Sequence, residues 1–183
     1  MNHKKILCYS LLAFCLLGFR DAHQRTVRRN FFNRSLNGEI SILVIKSTYE
    51  LQVYDQDGWY ATYPAVFGSK SQEDKMMQGD RLTPEGTFHI VSKRPHEKWD
   101  KIMDIDYPTR ADIAKFNNRK ARGLIPRGAK IGDGIAIHGT WPHDDNAVDA
   151  FQNWTNGCVS LKREDMDELY EMTPVGTKVV ISR

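Results

Sequence analysis

The stretch Ile135-Ala-Ile-His138-Gly139, followed further along the chain by Thr155-Asn-Gly-Cys158-Val-Ser-Leu161, combines two apolar runs with two reactive side chains. The first run is short and apolar, as in a buried strand, and His138 stands at its end. In the second stretch Gly157 allows the backbone to turn tightly immediately before Cys158. The pattern predicts an imidazole at a strand end, projecting from a rigid edge into a cleft built by loops, and a thiol on a turn that could pair with it.

Strand patterns lie on both sides of this stretch. Residues 39–46 and 49–54 are β-branched or alternate with period two around Ser47-Thr48, which predicts a hairpin. Further strands are predicted at 59–67, at 87–92 after the turn Thr83-Pro-Glu-Gly86, and at 177–181. Residues 94–108 lack a clean period and predict a bent strand or mixed segment, while 69–82 and 119–134 are expected to be loops.

Three helices are predicted, all of them short. Thr109 with Asp112 forms a capping-box pattern for a helix that ends near Asn118. Asp145 or Asn146 can cap a second helix through Trp154, and residues 163–172 show the apolar spacing of an amphipathic third helix. The fold class expected is therefore mainly β with a few short α-helices, a sandwich-like or mixed sheet carrying a Cys/His cleft.

The first 22 residues have the pattern of an export signal. A basic start with Lys4 and Lys5 precedes a fourteen-residue apolar run, Ile6 to Phe19, which suits a signal peptide and is short for a membrane span. Arg20 stands where a small residue is preferred before the Ala22 cleavage position, so an uncleaved anchor remains an alternative. We expect no stable membrane span in the mature protein, and a location in the periplasm or cell envelope.

The basic charge is concentrated near the N-terminus. Residues 1–35 hold seven Lys or Arg and one acid, a net charge of +6, so the remainder carries −3 of the chain's total of +3. Residues 23–38 are interpreted as a basic linker, and residues 39–183 as one catalytic domain. A domain of this charge is not expected to bind nucleic acid.

The cysteine count leaves one thiol in the predicted domain. Cys8 and Cys15 fall in the export segment, so Cys158 has no internal disulfide partner. A lone Cys in an oxidising compartment is either a reactive thiol or a buried inert one. A thiol is mostly protonated at neutral pH and needs a base to become a nucleophile. His138 is the best-placed candidate, and the N–H groups of Gly157 and Cys158 are candidate oxyanion donors.

The remaining histidines have less specific interpretations. His89 alternates within a strand and is expected to be structural or exposed, and His96 is expected in a solvated loop. His143 lies beside Asp144 and Asp145, a combination of residue types that resembles a set of zinc ligands, but the spacing of these residues matches no metal motif. No metal and no organic cofactor is therefore predicted.

These motifs together resemble the L,D-transpeptidase catalytic domain, the YkuD type. The resemblance rests on Ile135 to Gly139, on Thr155 to Leu161, on the Thr83-Pro-Glu-Gly-Thr-Phe88 turn and strand, and on the first hairpin and last strand, covering roughly residues 39–182. The Asn153-Trp154-Thr155 context is closest to a branch that includes hydrolytic members. Asn156 stands where the family often has a second His, and its amide can donate a hydrogen bond but cannot titrate.

The resemblance implies a function for each of these residues. Cys158 would be the nucleophile that forms a thioester with a peptidoglycan stem peptide, and His138 the base. The Gly139 carbonyl would orient the imidazole, while Thr155, Asn156 and Gly157 would contact substrate or oxyanion. The leading hypothesis is a peptidoglycan-modifying cysteine acyltransferase. The alternatives are an L,D-carboxypeptidase or amidase on the same material, and a non-catalytic wall-binding module.

Overall fold

The computed structural model describes residues 24–30, 35–68 and 71–183, so the predicted signal peptide lies outside the described residues. Within these ranges the chain forms nine strands and three helices. The strands are β1 (Arg28–Arg29), β2 (Ser41–Ile45), β3 (Glu50–Asp55), β4 (Gly58–Pro64), β5 (Gly86–His96), β6 (Asp100–Ile105), β7 (Ala136–Gly139), β8 (Val159–Leu161) and β9 (Lys178–Ser182). The helices are α1 (Arg110–Ala121), α2 (Asn146–Asp149) and α3 (Arg163–Met172). None of the described helices is long and apolar enough to cross a membrane.

The strands form one mixed sheet in the order β1-β4-β3-β2-β9-β5-β6-β7-β8. Strands β2 to β4 form an antiparallel meander, whereas β2 with β9 and β7 with β8 pair in parallel. The long strand β5 connects the two halves, because its residues 86–89 pair with β9 and its later residues pair with β6. The prediction of a mainly β fold with a few short helices is confirmed.

The period-two pattern of the sequence explains the core. Ile42 and Val44 of β2 are buried, and so are Leu51 and Val53 of the paired strand β3, while the residues between them are partly exposed. Alternation of this kind places one face of each strand against the core. The same core cluster continues into β7, β8 and α3. Apolar packing therefore fixes β7, which carries His138, and β8, which directly follows Cys158.

The segment 94–108 differs from its prediction. Residues 94–96 continue β5, and β6 returns antiparallel, so the segment forms most of a regular hairpin followed by a short connection. The turn was not evident because it contains neither Gly nor Pro. Instead His96 Nδ1 accepts the N–H groups of Lys98 (3.2 Å) and Trp99 (3.3 Å), and Asp100 adopts a positive φ of 62°.

Two helix boundaries also differ. The Thr109–Asp112 capping box is confirmed, but α1 continues three residues past Asn118 to Ala121. The second helix is much shorter than predicted, since α2 ends at Asp149 rather than Trp154. Phe151 adopts a left-handed φ of 54°, which ends the helix and redirects the chain toward the nucleophile turn.

Part of the predicted linker packs on the domain. Strand β1 pairs with the outer edge of β4, which covers an otherwise open sheet edge. The Arg25 backbone N–H donates to Asp149 Oδ1 (2.6 Å), and the Arg25 guanidinium donates to the Val148 carbonyl (2.9 Å). Lys162 Nζ joins these residues by contacting both the Arg25 carbonyl and Asp149 Oδ1 at 2.7 Å. Residues 25–29 are therefore attached to the folded domain.

Candidate active site

The turn that presents Cys158 is organised by Thr155. The Thr155 hydroxyl donates to the Cys158 carbonyl (2.7 Å) and accepts the Gly157 N–H (3.1 Å), so one buried side chain closes the turn from inside. Gly157 has a φ of 134°, and a Cβ there would lie 2.8 Å from the Leu82 carbonyl oxygen. Glycine is required at this position for both conformation and space.

Residues 66–68, after β4, hold this turn in place from the other side. Val66 and Ser160 exchange two backbone hydrogen bonds of 2.9 and 2.8 Å, and the Thr155 N–H donates to the Phe67 carbonyl (3.2 Å). The Asn153 side chain accepts the Phe67 N–H at 2.8 Å. Both ends of the nucleophile turn are therefore attached to a neighbouring segment that is itself buried.

His138 is buried and held in one orientation. Its Nδ1 lies 2.7 Å from the Gly139 carbonyl oxygen, a contact that places the proton on Nδ1 and leaves Nε2 as an acceptor. The ring stacks on Trp99 with centroids 4.5 Å apart and meets the edge of Trp154 at 5.5 Å. Burial lowers the pKa of His138 to about 4, so the imidazole is neutral at neutral pH.

The thiol of Cys158 lies against the strand that carries His138. Cys158 Sγ donates to the Gly134 carbonyl at 3.6 Å. Part of the residue is exposed, and burial of the rest raises the pKa of the Cys158 thiol to about 11. Thiol and imidazole are therefore both neutral in this conformation, and no hydrogen bond joins them among the described residues.

A cavity of about 440 Å³ lies beside Cys158. Its walls come from the loop before β5, the loop before β7 and the nucleophile turn; the lining residues are Lys75, Gln78, Gly79, Arg81, Gly132, Asp133, Gly134, Ile135, Asn156 and Cys158. A cavity of this size lies in the range that accommodates a small ligand or a few residues of a larger one. It brings Asn156 and Cys158 to the same surface, whereas Thr155 and Gly157 are buried beneath it.

The loop that forms one wall is held by a buried ion pair. Lys75 Nζ contacts Asp80 Oδ1 at 2.7 Å, and both side chains are almost fully buried. The Asp80 carboxylate also accepts the N–H groups of Met76 (2.7 Å), Met77 (2.9 Å) and Leu82 (3.0 Å). A single carboxylate therefore fixes the backbone of residues 76–82 beside the thiol.

The six site residues predicted from the sequence lie together in one region. Parallel pairing of β7 with β8 aligns His138 with Ser160, two residues after Cys158. The Gly139 carbonyl accepts a hydrogen bond from His138 Nδ1, and the Gly139 N–H donates to the Trp99 carbonyl (3.1 Å). The Gly157 N–H, a predicted oxyanion donor, is engaged by Thr155 Oγ1 in this conformation. The catalytic and oxyanion roles themselves stay predictions.

Two aromatic residues and one ion pair of the site were not predicted. Trp154 directly precedes the Thr155 motif in the sequence, so its presence in the site could have been predicted from that position. Trp99 lies in the β5–β6 turn and reaches His138 only through tertiary packing. Lys75 and Asp80 look like ordinary loop charges in the sequence, and only their burial distinguishes them.

The other histidines do not join the site directly. His96 is not a solvated loop residue as predicted: it ends β5 and stacks on the far face of Trp99, with centroids 4.4 Å apart. His89 is exposed and its Nδ1 lies 3.4 Å from Asp106, which agrees with its prediction. His143 is exposed at a positive φ of 64°. The described part of the chain contains no group of three or more His, Cys, Asp or Glu side chains placed to hold a metal ion.

Comparison with known proteins identifies the family. The model of the L,D-transpeptidase catalytic domain, YkuD, matches residues 39–181. The chain belongs to the YkuD family. This chain is 28% identical over 151 residues to the Bacillus subtilis (strain 168) protein YqjB, whose L,D-transpeptidase designation is provisional, and the match covers 80% of this chain and 73% of YqjB.

Solved structures resemble this YkuD chain in fold. Pgp2, a helical cell shape determining protein from Campylobacter jejuni, superposes with a TM-score of 0.59 at 23% identity, covering 79% of this chain and 48% of that one. An L,D-transpeptidase from Mycobacterium tuberculosis H37Rv gives a TM-score of 0.52 at 17% identity, covering 79% of this chain and 57% of that one. The chain therefore spans about half the length of these solved structures, and the likeness concerns the fold.

Proposed function

We propose that this protein is a peptidoglycan-modifying cysteine acyltransferase of the envelope, with Cys158 as nucleophile and His138 as general base. The observation that carries the proposal is a neutral imidazole on β7, with its proton on Nδ1, beside the parallel strand β8 that follows Cys158, together with a Cys158 thiol on a rigid turn that lines a cavity of about 440 Å³. The family match supports peptidoglycan stem peptides as the substrate class.

In the proposed reaction, Cys158 Sγ attacks a carbonyl carbon of the stem peptide while its proton passes to His138 Nε2. The imidazolium then donates that proton to the departing amine, and a thioester is left on Cys158. A second amine attacks the thioester and gives a new amide, with the thiol regenerated. The buried imidazole has its pKa lowered to about 4, which keeps it unprotonated and able to accept the proton at neutral pH.

The test uses purified tetrapeptide muropeptides and intact-protein mass spectrometry. Wild-type protein should gain the mass of the acyl fragment on Cys158, and Cys158→Ala should gain none. Retained turnover in Cys158→Ala would contradict the proposal. Addition of an amine acceptor then identifies the second step, since new crosslinks mean transfer and trimmed peptides mean hydrolysis.

A further inference from the structure

Positive charge is concentrated in one segment of the domain. Residues 110–130, which comprise α1 and the loop after it, contain seven Lys or Arg and one acid, a net charge of +6. The rest of residues 36–183 contains 12 Lys or Arg and 21 acids, a net charge of −9. The modest net charge of residues 36–183 therefore conceals a strongly basic segment on an otherwise acidic domain.

Four of the seven cations of this segment are exposed and have no partner among the described residues. Lys115 and Arg119 pair with Asp74, and Lys120 Nζ donates to the Ala129 carbonyl at 3.1 Å. Within the described ranges no hydrogen bond or ion pair involves the side chains of the other four, which are Arg110, Arg122, Arg127 and Lys130. These four charges are therefore available to an anionic surface.

Two apolar side chains are exposed in the same segment. Ile113 is 44% exposed and lies one helical turn from Arg110, a spacing that places both side chains on one face of α1. Leu124 is 52% exposed and lies between Arg122 and Arg127 in the chain. We call these two apolar residues and the four unpaired cations the α1 surface.

The exposure of Leu124 is fixed by the end of the helix. The Leu124 N–H donates to the Arg119 carbonyl (2.9 Å) and the Gly123 N–H donates to the Lys120 carbonyl (3.1 Å), with Gly123 at a φ of 69°. In this Schellman ending the residue after the glycine commonly packs on an apolar side chain of the last turn. The positions it would meet are Asn118 and Arg119, which are polar, and Leu124 remains half exposed.

Cations combined with exposed apolar side chains match the surface of an anionic bilayer. Lys and Arg are attracted to the negative charge of the phospholipid headgroups, and apolar side chains gain free energy where they leave water. A soluble polyanion would bind the cations but would leave Ile113 and Leu124 in water. The apolar pair therefore favours a lipid surface over an anionic polymer.

We propose that the α1 surface is a peripheral binding site for anionic phospholipid. The four cations contact the headgroup phosphates, while Ile113 and Leu124 enter the headgroup layer. The contact is reversible and weakened by salt, because exposed charges supply much of it. None of the six residues is among the described residues that line the cavity beside Cys158, so the site is separate from the candidate active site.

Partition is measured by sedimentation of the full-length protein with phosphatidylcholine vesicles, alone or with about one-third phosphatidylglycerol. The apolar residues 6–19 affect every variant alike, so the informative quantity is the difference between variants. A variant that combines Arg122→Gln, Arg127→Gln and Lys130→Gln should partition about a hundredfold more weakly into the anionic vesicles, about fivefold for each cation. The neutral vesicles should not distinguish this variant from the parent.

A matched variant removes the same charge elsewhere on the domain. Lys98→Gln, Lys178→Gln and Arg183→Gln together change three exposed cations outside the α1 surface. This variant should weaken partition into the anionic vesicles less than about fivefold, because charges held away from the bilayer are screened by salt.

The apolar contribution is tested in the same way. Ile113→Ser with Leu124→Ser should weaken partition into the anionic vesicles about tenfold, since each side chain gains less when its apolar area is removed. Val91→Ser with Val175→Ser is the matched control, because these two valines are also exposed and lie outside the α1 surface. The control should change partition less than about twofold.

Acetylation of lysines on vesicle-bound protein reports the contact itself, whichever segment holds the chain on the bilayer. Lys130 should react several-fold more slowly on anionic vesicles than in solution, whereas the exposed Lys178 should react equally in both. Peptide mass spectrometry measures both rates in one sample.

Equal partition of the two triple variants, or unchanged acetylation of Lys130 on anionic vesicles, would overturn the proposal. So would binding to soluble polyphosphate that needs the three cations but not Ile113 and Leu124, in the absence of Lys130 protection on vesicles, because the surface would then serve a polyanion. All variants should unfold at the parent temperature, since the changed positions are exposed. Acylation of Cys158 in solution should be unaffected, so failure of this site is separate from failure of the proposed function.

Discussion

At the residue scale, the structure stabilises the neutral forms of both candidate catalytic groups. Burial lowers the pKa of His138 to about 4 and raises the pKa of Cys158 to about 11. A thiolate–imidazolium pair would require the opposite directions. In the proposed reaction, proton transfer would therefore accompany the attack of sulfur on the substrate, and the resting thiol is expected to react slowly with simple electrophiles.

The reactivity of Cys158 with iodoacetamide should increase with pH well past neutrality. Because the pKa of the thiol is raised to about 11, the alkylation rate should still rise about tenfold per pH unit through pH 9 and 10, whereas that of a small cysteine peptide, with a pKa of about 8.5, approaches its plateau in this range. Mass spectrometry of the peptide that contains residue 158 measures the rate without interference from Cys8 and Cys15. A plateau below pH 8 would instead indicate a preformed thiolate.

Trp99 acts as a positioning residue for His138. Its ring stacks on the imidazole, so Trp99→Ala should lower kcat about tenfold, expose the imidazole and raise the pKa of His138 from about 4 toward its ordinary value. The acid limb of the pH–rate profile should then move to higher pH together with the pKa of His138. Trp141→Ala is the matched control, because Trp141 contacts Trp99 and Trp154 but has no described contact with His138. Unchanged His138 titration by NMR in Trp99→Ala would contradict this assignment.

At the element scale, the site depends on two connections that have little regular structure. The β5–β6 turn carries Trp99 over His138, and the loop of residues 75–82 forms the cavity wall beside Cys158. Both are fixed by side-chain acceptors for backbone N–H groups, His96 in the first and Asp80 in the second. In these loops the side-chain acceptors hold the backbone in place, as hydrogen-bonded pairing does in the strands.

Asp80→Asn should loosen the cavity wall. The change leaves the buried Lys75 ammonium without a counter-charge, and breaking such a pair costs about 3 kcal/mol of unfolding free energy. Urea unfolding measures the loss, and hydrogen exchange should show faster exchange of the amides of residues 76–82. Asp144→Asn, at an exposed position, is the control and should change the unfolding free energy by less than about 0.5 kcal/mol. An Asp80→Asn variant as stable as the parent would refute the role given to this carboxylate.

At the scale of the whole molecule, two buried groups give opposite pH dependences of stability. His138 has a folded pKa below its ordinary value, so the unfolded chain binds the proton first and folding loses stability as pH falls from about 6.5 to 4. Asp165 of α3 has the reverse shift, since burial raises its pKa to about 6. The folded chain then holds the proton first, and folding gains stability as pH falls from about 6 to 4.

Asp165→Asn should therefore stabilise the protein at neutral pH and not in acid. One carboxylate oxygen of Asp165 is buried without a hydrogen-bond partner among the described residues, so its charge costs on the order of 2 kcal/mol at pH 7.5. That gain should disappear by pH 4, where the wild-type group is protonated. Urea unfolding at a series of pH values measures the difference. Equal stabilities at all pH values would contradict the assignment.

The attachment of residues 25–29 also belongs to this scale. The segment combines a short edge strand with hydrogen bonds from Arg25 to Asp149 and Val148, and with an Arg29–Glu168 ion pair. Its basic residues meet acidic residues on the α2 and α3 side of the domain. The sequence indicates this complementarity only as opposite net charges of the two parts of the chain.

Local patterns were sufficient to predict most of the elements, and they also nominated the candidate site residues. Period-two alternation predicts the strands of the first hairpin and the last strand, and a capping box predicts the start of α1, because these signals depend on neighbours within a few residues. The motif around Gly157 and Cys158 likewise reflects a local requirement, because the backbone makes a tight turn there and position 157 has no space for a side chain. Family resemblance connected these local signals to a chemistry.

The remaining features depend on residues far apart in the chain. Trp99 meets His138 only because β6 pairs with β7, and α2 stops early because Phe151 turns the chain toward residues 66–68. The neutral charge states of Cys158 and His138 come from burial by several segments at once. The sequence by itself determined which groups are the candidates for reaction and which strands carry them. Tertiary structure decided their protonation and the charges that line the neighbouring cavity, because desolvation and cavity shape depend on every segment packed around a site rather than on the residues beside it in the chain.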